Sequence, residues 1–494
     1  MDTGEYWGID FPFTSQQLRD MGPAWLTKAM HKAGTLPLSN AITEFLSFDV
    51  KAQDVTQPSG GDWGFCGTKV LLQVRFRESS GTVANKMFVK MPHPFTGKNE
   101  RYRNSVFRYP MDWNEVTFYN LLGGRYGCLP ARVPRMYFCD MSRRTTNFIM
   151  VIESIPYGAR DAAGAKPGQY FPAPGKYRDW DLAGQGLRHY FALVRELAKF
   201  IGWYKSTREK TTDQVERLFE DITGTRHRES LWSKITAAGA YASLERDRAF
   251  VNLLDDPTMQ QWVEANFRSP TQMRGLLDQG EEVVSKWAKH VLPTDLVSAG
   301  LLDEMFENVR LACKYSSEVD AHGDLVPEYL ALQPLRRVDD AWYFRDANGR
   351  VEAGLLDWGG VRMGTIPDCL AFLWMGAEPA MLDAHEERLV RFFIDEYEKV
   401  TDFRFDFDDL QMRINLFRLL SVPHSVMECR MVMAKYVPKE KWPSVKSRMD
   451  PAINDNPQVR CCYAQIEYLL GAWRRRSPFP HFKRWLERLG LPPR

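Results

Sequence analysis

The chain has 494 residues, more than one ordinary domain uses, so two lobes with ample apolar material for a core are expected. Its 65 Lys and Arg nearly balance 63 Asp and Glu, and a formal charge of +2 argues against nucleic acid or a membrane surface as partner. The eight cysteines include no C-x-x-C pair, and Cys461-Cys462 lacks the second pair that a zinc site needs, so reduced and mostly buried thiols are expected.

Met1 to Phe13 carries Asp2, Glu5 and Asp10 with no basic start followed by an apolar run. No stretch approaches the roughly 18 apolar residues of a membrane span, and a soluble, cytoplasmic protein is the expectation. From Ser15 to Ala33, Leu18, Met21, Trp25, Leu26 and Met30 recur at helical spacing. Val70 to Phe76 alternates instead, with Val70, Leu72, Val74 and Phe76 on one side and Gln73, Arg75 and Arg77 on the other. A turn at Glu78-Ser79-Ser80-Gly81 and a partner strand at Met87-Phe88-Val89-Lys90 make this an antiparallel hairpin.

Asp112 to Leu122 returns to helical spacing, and strand-like runs follow at Arg135 to Asp140 and Asn147 to Glu153. Tyr157 to Lys176 is rich in Gly, Ala and Pro and reads as a long loop at a lobe boundary. Beyond it, Gln185 to Ser206, Asp213 to Asp221, Glu229 to Asp247 and Gln272 to Lys289 predict helices, and strand-like sequence is confined to Leu325 to Trp358. Three like charges at Arg474-Arg475-Arg476 read as a solvated helix terminus rather than a binding patch. The implied organisation is α+β: residues 1–156 an antiparallel-sheet lobe, 157–183 a Gly/Pro-rich boundary loop, 184–494 a larger, mainly helical lobe.

Gly61, Gly64 and Gly67 precede the first clear strand at spacing of three, where backbone amides free of side chains can close over phosphate oxygens; an ordinary Gly-rich turn shares that pattern. Lys90 ends a strand and Glu115 lies on the following helix, the pairing by which a kinase fixes the ammonium arm that contacts a nucleotide's phosphates. Glu153 marks the position where a hinge would read the adenine edge with its backbone. His322-Gly323-Asp324 sits in a turn, with Asp324 placed to take the proton of an attacking hydroxyl and His322 to hold the loop. Asp357, after the apolar Leu355-Leu356, is an oxygen donor of the kind magnesium prefers. Taken in this order the elements spell a kinase site, although no Asp-Phe-Gly or Ala-Pro-Glu triplet of a protein kinase is present.

The chain resembles the aminoglycoside phosphotransferase and choline kinase-like group, and within it the ecdysteroid kinase-like subgroup. The matches are Asn114-Glu115-Val116-Thr117-Phe118-Tyr119, Val133-Pro134-Arg135-Met136-Tyr137, Ile152-Glu153, His322-Gly323-Asp324, Asp357-Trp358, and Gly364 followed by Asp368-Cys369-Leu370-Ala371. The resemblance implies a bilobal, protein-kinase-like fold with residues 1–156 as the nucleotide-binding lobe, ATP with Mg2+, transfer of the γ-phosphate to a hydroxyl of a small molecule, and Asp368 as a structural carboxylate. It departs from the family at Tyr329, where an asparagine serves as second metal ligand; a phenol, with a pKa of about 10, is a poor one. Glu328 and Gln333 are the neighbouring candidates to replace it, and neither lies well on an undistorted strand. Trp63 and Phe65 in the glycine loop either fold over a nucleotide or fill its place. A catalytically weak or inactive kinase-fold scaffold is therefore the alternative to an active enzyme.

Overall fold

The computed structural model describes residues 1–51, 67–79, 83–92, 108–120, 129–142, 145, 147–155, 170–171, 173–207, 270–293, 295–297, 300–315 and 328–491. They fall into two compact units. The described residues of 1–165 and 354–362 form the first, and those of 166–210, 256–353 and 363–494 form the second.

The first unit opens with β1 (Asp2–Thr3) and β2 (Asp10–Phe11), a short antiparallel pair, and then α1 (Ser15–Lys32). Thr14 caps α1 by accepting from the Gln17 amide at 3.2 Å, satisfying one of the donors that a helix start leaves open. A five-stranded antiparallel sheet follows, built from β3 (Ile42–Lys51), β4 (Thr68–Phe76), β5 (Lys86–Met91), β6 (Met136–Met141) and β7 (Phe148–Glu153) in the order β3-β4-β5-β7-β6. The alternation that predicts the hairpin is the burial pattern observed: Val70 faces Val89 and Leu72 faces Met87, all in the core with Leu18, Leu26 and Met30 of α1. Trp25 fixes the helix on this face, its indole N–H donating to the Asp10 carbonyl at 2.8 Å and its ring meeting Phe138 edge-on at 5.6 Å.

Strand β3 has no counterpart in the sequence reading, for a physical reason. Its pairing with β4 slips between Ile42 and Glu44 and again between Phe45 and Ser47, so the inward residues Ile42, Phe45, Phe48 and Val50 recur without the period of two. The helix expected from Asp112 is α2 (Arg108–Phe118), displaced toward the N-terminus. It meets the sheet on the face opposite α1, because its Glu115 pairs with Lys90, whose neighbours Val89 and Met91 point into the α1 core. At the β4 entrance Gly67 has φ +74°, and a Cβ there would lie 2.0 Å from the Met91 carbonyl oxygen, so only glycine admits this approach.

The second unit is mainly helical: α3 (Leu187–Thr207), α4 (Pro270–Val291), α5 (Leu301–Cys313), α6 (Ile366–Leu373), α7 (Pro379–Thr401), α8 (Phe407–Tyr436), α9 (Pro457–Arg476) and α10 (Pro478–Arg488). The helices predicted at Asp213 to Asp221 and Glu229 to Asp247 lie outside the described residues. Close crossing of α4 and α8 is permitted by Gly280, where a Cβ would stand 2.2 Å from the Val426 side chain. Two small sheets belong mostly to this unit, β8 (Tyr170–Phe171) with β10 (Ala341–Arg345) and β11 (Val351–Leu355), and β9 (Leu330–Gln333) with β12 (Arg362–Thr365). The fold class is thus α+β as expected, with a five-stranded antiparallel sheet in the first unit and a larger, mainly helical second unit.

Arg474, Arg475 and Arg476 close α9 as expected, with Arg476 exposed, but each is ion-paired and Arg475 is withdrawn from solvent. Arg474 pairs with Asp295 and Asp383, Arg475 with Asp383 and Glu386, and Arg476 with Glu387, and the Arg475 side chain is only 8% exposed. Cys139, Cys369, Cys429, Cys461 and Cys462 are buried thiols outside any disulfide, as expected. Among the described residues no helix is long and apolar enough to cross a membrane.

Candidate active site

Lys90, Glu115 and Asp357 meet within the first unit. Strand alternation turns Lys90 away from the α1 core, and the ammonium forms an ion pair with the Glu115 carboxylate in which both side chains are nearly fully buried. A second carboxylate, Asp357, lies 4.0 Å from the Lys90 Nζ, and its side chain is 47% exposed. Two anions thus hold one cation, one as a buried orienting partner and one facing solvent.

What places Glu115 is the seating of α2. Phe118 lies flat against Trp358, with ring centroids 3.6 Å apart and planes 7° from parallel, and both rings are fully buried. One turn earlier the Asn114 amide donates to the Val361 carbonyl at 3.0 Å. The segment from Asp357 to Val361 therefore grips the same helix that carries Glu115, and a helix shift would move both carboxylates with respect to Lys90. Asp357 itself has φ 60° and ψ 66°, a left-handed conformation that costs a non-glycine residue of order 1 kcal/mol and is tolerated best by Asn and Asp. The Leu355 amide anchors the approach to it by donating to the Arg132 carbonyl at 2.8 Å.

Among the described residues no group of three or more His, Cys, Asp or Glu is arranged to hold a metal ion on protein ligands alone. A half-exposed carboxylate beside a buried lysine–glutamate pair nevertheless suits magnesium, which keeps most of its waters and takes one or two carboxylates together with substrate phosphates. Asp357 is the residue that fits that role.

Glu153, expected to mark a hinge, ends β7, and its side chain accepts from the Arg135 amide at 3.2 Å, tying β7 to the start of β6. Of the expected glycines Gly67 packs on the Met91 carbonyl at the end of β5, whereas Gly61, Gly64, Trp63 and Phe65 lie outside the described residues, as do His322 and Asp324.

In the second unit, Tyr329 does not present its phenol as an open metal ligand. Its hydroxyl donates to Asp409 at 2.7 Å, its ring stacks on Phe405 at 5.0 Å, and the Arg413 guanidinium lies 4.5 Å over it. Burial first, and then the Asp409 carboxylate, raise the phenol's pKa, so it stays protonated and donating. Arg413 and Arg488 close the cluster on Asp409. Glu328 is exposed, and Gln333 is buried, donating to Asp368 at 3.2 Å. Asp368 sits in the first turn of α6, its amide donating to Thr365 at 3.4 Å. The carboxylates considered for a cationic acceptor have local partners: Asp179 accepts from Tyr190, Asp181 pairs with Arg178 at 3.1 Å and Glu378 with Arg448 at 2.8 Å.

No family model matches the chain, and no curated protein matches it. Among solved structures it is similar to a Plasmodium vivax ethanolamine kinase, at 10% identity and a TM-score of 0.37 over 85% of this chain and 83% of that one. At that score the fold and the site rest on the chain's own geometry.

Proposed function

We propose that the protein is an ATP-dependent phosphotransferase that moves the γ-phosphate to a hydroxyl of a small molecule. The observation that carries this reading is the placement of Lys90 between a buried Glu115 and a half-exposed Asp357. Glu115 keeps the ammonium charged and aimed, Lys90 contacts the nucleotide's phosphates, and Asp357 is the ligand that would hold magnesium. Bound there, the metal would neutralise charge on the phosphate oxygens. Asp324 accepts the acceptor's hydroxyl proton as its oxygen bonds to the γ-phosphorus and the bond to the ADP oxygen breaks, and His322 orders the loop that carries Asp324. The motifs that resemble the ecdysteroid kinase-like subgroup make sterols and other alcohols the acceptors to try first.

One observation favours a second reading, a weak or inactive kinase-fold scaffold: the residue in place of the second metal-binding asparagine is Tyr329, engaged with Asp409. The two readings separate by ATP consumption against a panel of amino alcohols, sugars and sterols, with Asp324→Asn as the control. The enzyme reading predicts acceptor-dependent ADP release that Asp324→Asn abolishes. Acceptor-dependent release that survives in Asp324→Asn would remove Asp324 from the chemistry, and nucleotide binding without turnover on every acceptor class would favour the scaffold.

A further inference from the structure

Helix α2, which carries Glu115, is held at its C-terminal end by the opening residues of the chain. The Tyr6 hydroxyl lies 2.6 Å from the hydroxyl of Thr117, a fully buried residue of the helix. Trp7 donates from its indole N–H to the Cys139 carbonyl of β6 at 2.9 Å and to the Asn120 side-chain carbonyl at 3.1 Å. Asn120, two residues past α2, in turn donates to the Val116 carbonyl of the helix and to the Cys139 carbonyl, both at 3.0 Å. Asn120 thus ties the last turn of α2 to β6, and Trp7 locks that tie.

The segment that carries these two side chains is itself fixed. Asp140 of β6 accepts from the Tyr6 amide at 2.9 Å and from the Trp7 amide at 3.1 Å, and the Glu5 amide donates to the Met141 carbonyl at 3.0 Å. The backbone passes so close that a Cβ at Gly4 would stand 1.9 Å from an Asp140 carboxylate oxygen. Asp2 accepts from Thr145 and Asn147. Tyr6 and Trp7 therefore meet α2 from a base anchored on β6, as a support that sets geometry must. Two positions along a helix lie about 200° apart around its axis, so Thr117 stands nearly opposite Glu115. Lys90 holds the helix at Glu115 and Tyr6 holds it at Thr117, while Val361 and Trp358 take the face of Asn114 and Phe118. A turn or slide of α2 moves Glu115, and with it the charge that aims Lys90. We propose that Tyr6 and Trp7 are positioning residues for the Lys90–Glu115 pair, acting through α2 on the phosphate-binding lysine. This rests on the nucleotide reading of the Lys90 site.

The test is calorimetric titration of ATP with magnesium into the parent protein, Tyr6→Phe, Trp7→Phe, the two combined, Thr117→Val, Thr117→Ser and Lys90→Met, below the temperature at which each begins to melt. Thr35→Val is the control for a purely structural loss: the Thr35 hydroxyl donates to the Tyr137 carbonyl at 2.6 Å in the same unit and joins the end of α1, not α2, to β6. Tyr6→Phe and Thr117→Val are each expected to bind ATP about fivefold more weakly, and the combined variant about tenfold or more. Thr117→Ser keeps the hydroxyl and stays within about twofold of the parent, as does Thr35→Val. If the combined variant does not fold, Tyr6→Phe and Thr117→Val are judged by the same criteria. ATP affinity unchanged in these variants, or lowered as much by Thr35→Val, with Lys90→Met defective, would overturn the proposal and leave the nucleotide reading standing. A parent protein that binds no ATP would overturn the nucleotide reading itself, and this proposal with it.

Discussion

Trp358 lies face to face with Phe118, its indole 3.6 Å from the phenyl ring, one residue after Asp357 and three after Glu115 respectively. The stack couples the two carboxylates at Lys90 through a single hydrophobic contact. Phe118→Ala is expected to destabilise the protein by about 3–5 kcal/mol, the usual cost of emptying a buried aromatic site. The milder Phe118→Leu should retain most stability yet weaken nucleotide binding, because Glu115 and Asp357 no longer share one support. Thermal melting and ATP titration on the same samples check this, and nucleotide affinity unaltered in Phe118→Leu would disconnect the stack from the site.

The Lys90–Glu115 pair is buried on both sides, so removing either partner takes a buried counter-charge from the other. Glu115→Ala alone is expected to cost about 3–5 kcal/mol, whereas replacing both residues by apolar ones of similar size should cost far less than the two single changes together. Urea unfolding of the two singles and the double closes the cycle. Additive losses would mean that the two groups do not stabilise each other.

Glu386 in α7 is held by Arg418 at 2.7 Å and Arg475 at 3.2 Å and accepts from Gln411 at 3.2 Å. Despite burial, which acts the other way, the guanidinium groups hold its carboxyl at about 2, below its ordinary 4.5. A depressed folded-state pKa means that the unfolded chain binds the proton first, so this stability is fully present above pH 4.5 and is lost as pH falls toward 2. The effect is of order 3 kcal/mol. Glu386→Gln is predicted to be less stable at neutral pH and to show a flatter decline in acid than the parent, measured by urea midpoints along a pH series. A slope matching that of the parent would place the acid sensitivity elsewhere.

Tyr329→Phe removes one hydroxyl donor and leaves Asp409 with its two arginines, so a loss of about 1 kcal/mol is expected. Tyr329→Asn also empties the stack on Phe405 and is expected to cost about 3 kcal/mol. If the parent is an active phosphotransferase, neither change raises magnesium-dependent ATP hydrolysis. A gain of such hydrolysis in Tyr329→Asn would show that the phenol impairs the natural protein and would favour the scaffold.

Much of this organisation is legible in the chain because it depends on local periodicity. The β4–β5 hairpin follows from alternating Val70, Leu72 and Val74, and α1 from its spacing of apolar residues. Lys90 and Glu115 are recognisable as a pair because a strand lysine and a helix carboxylate have a known joint use. What stays hidden is set by distance along the chain or by broken register. Strand β3 escapes because two slips erase its period, and the partner of Tyr329 escapes because Asp409 is 80 residues away. The gripping of α2 by Trp358 and Val361 spans some 240 residues, with 247 between Asn114 and Val361, and no local pattern reports such a contact. The arginines closing α9 look like surface charge for the same reason, since Asp295, Asp383, Glu386 and Glu387 come from other helices and turns.

Phosphotransfer by this protein requires that Lys90, Glu115 and Asp357 form a site for a nucleotide's phosphates and their metal. The direct measurement is the thermal shift produced by ATP with and without magnesium in the parent and in Asp357→Asn. A nucleotide site there gives a magnesium-dependent rise in melting temperature in the parent that is absent from Asp357→Asn, with the unliganded proteins melting alike. A parent insensitive to ATP, or an Asp357→Asn variant with an undiminished magnesium-dependent shift, would contradict it.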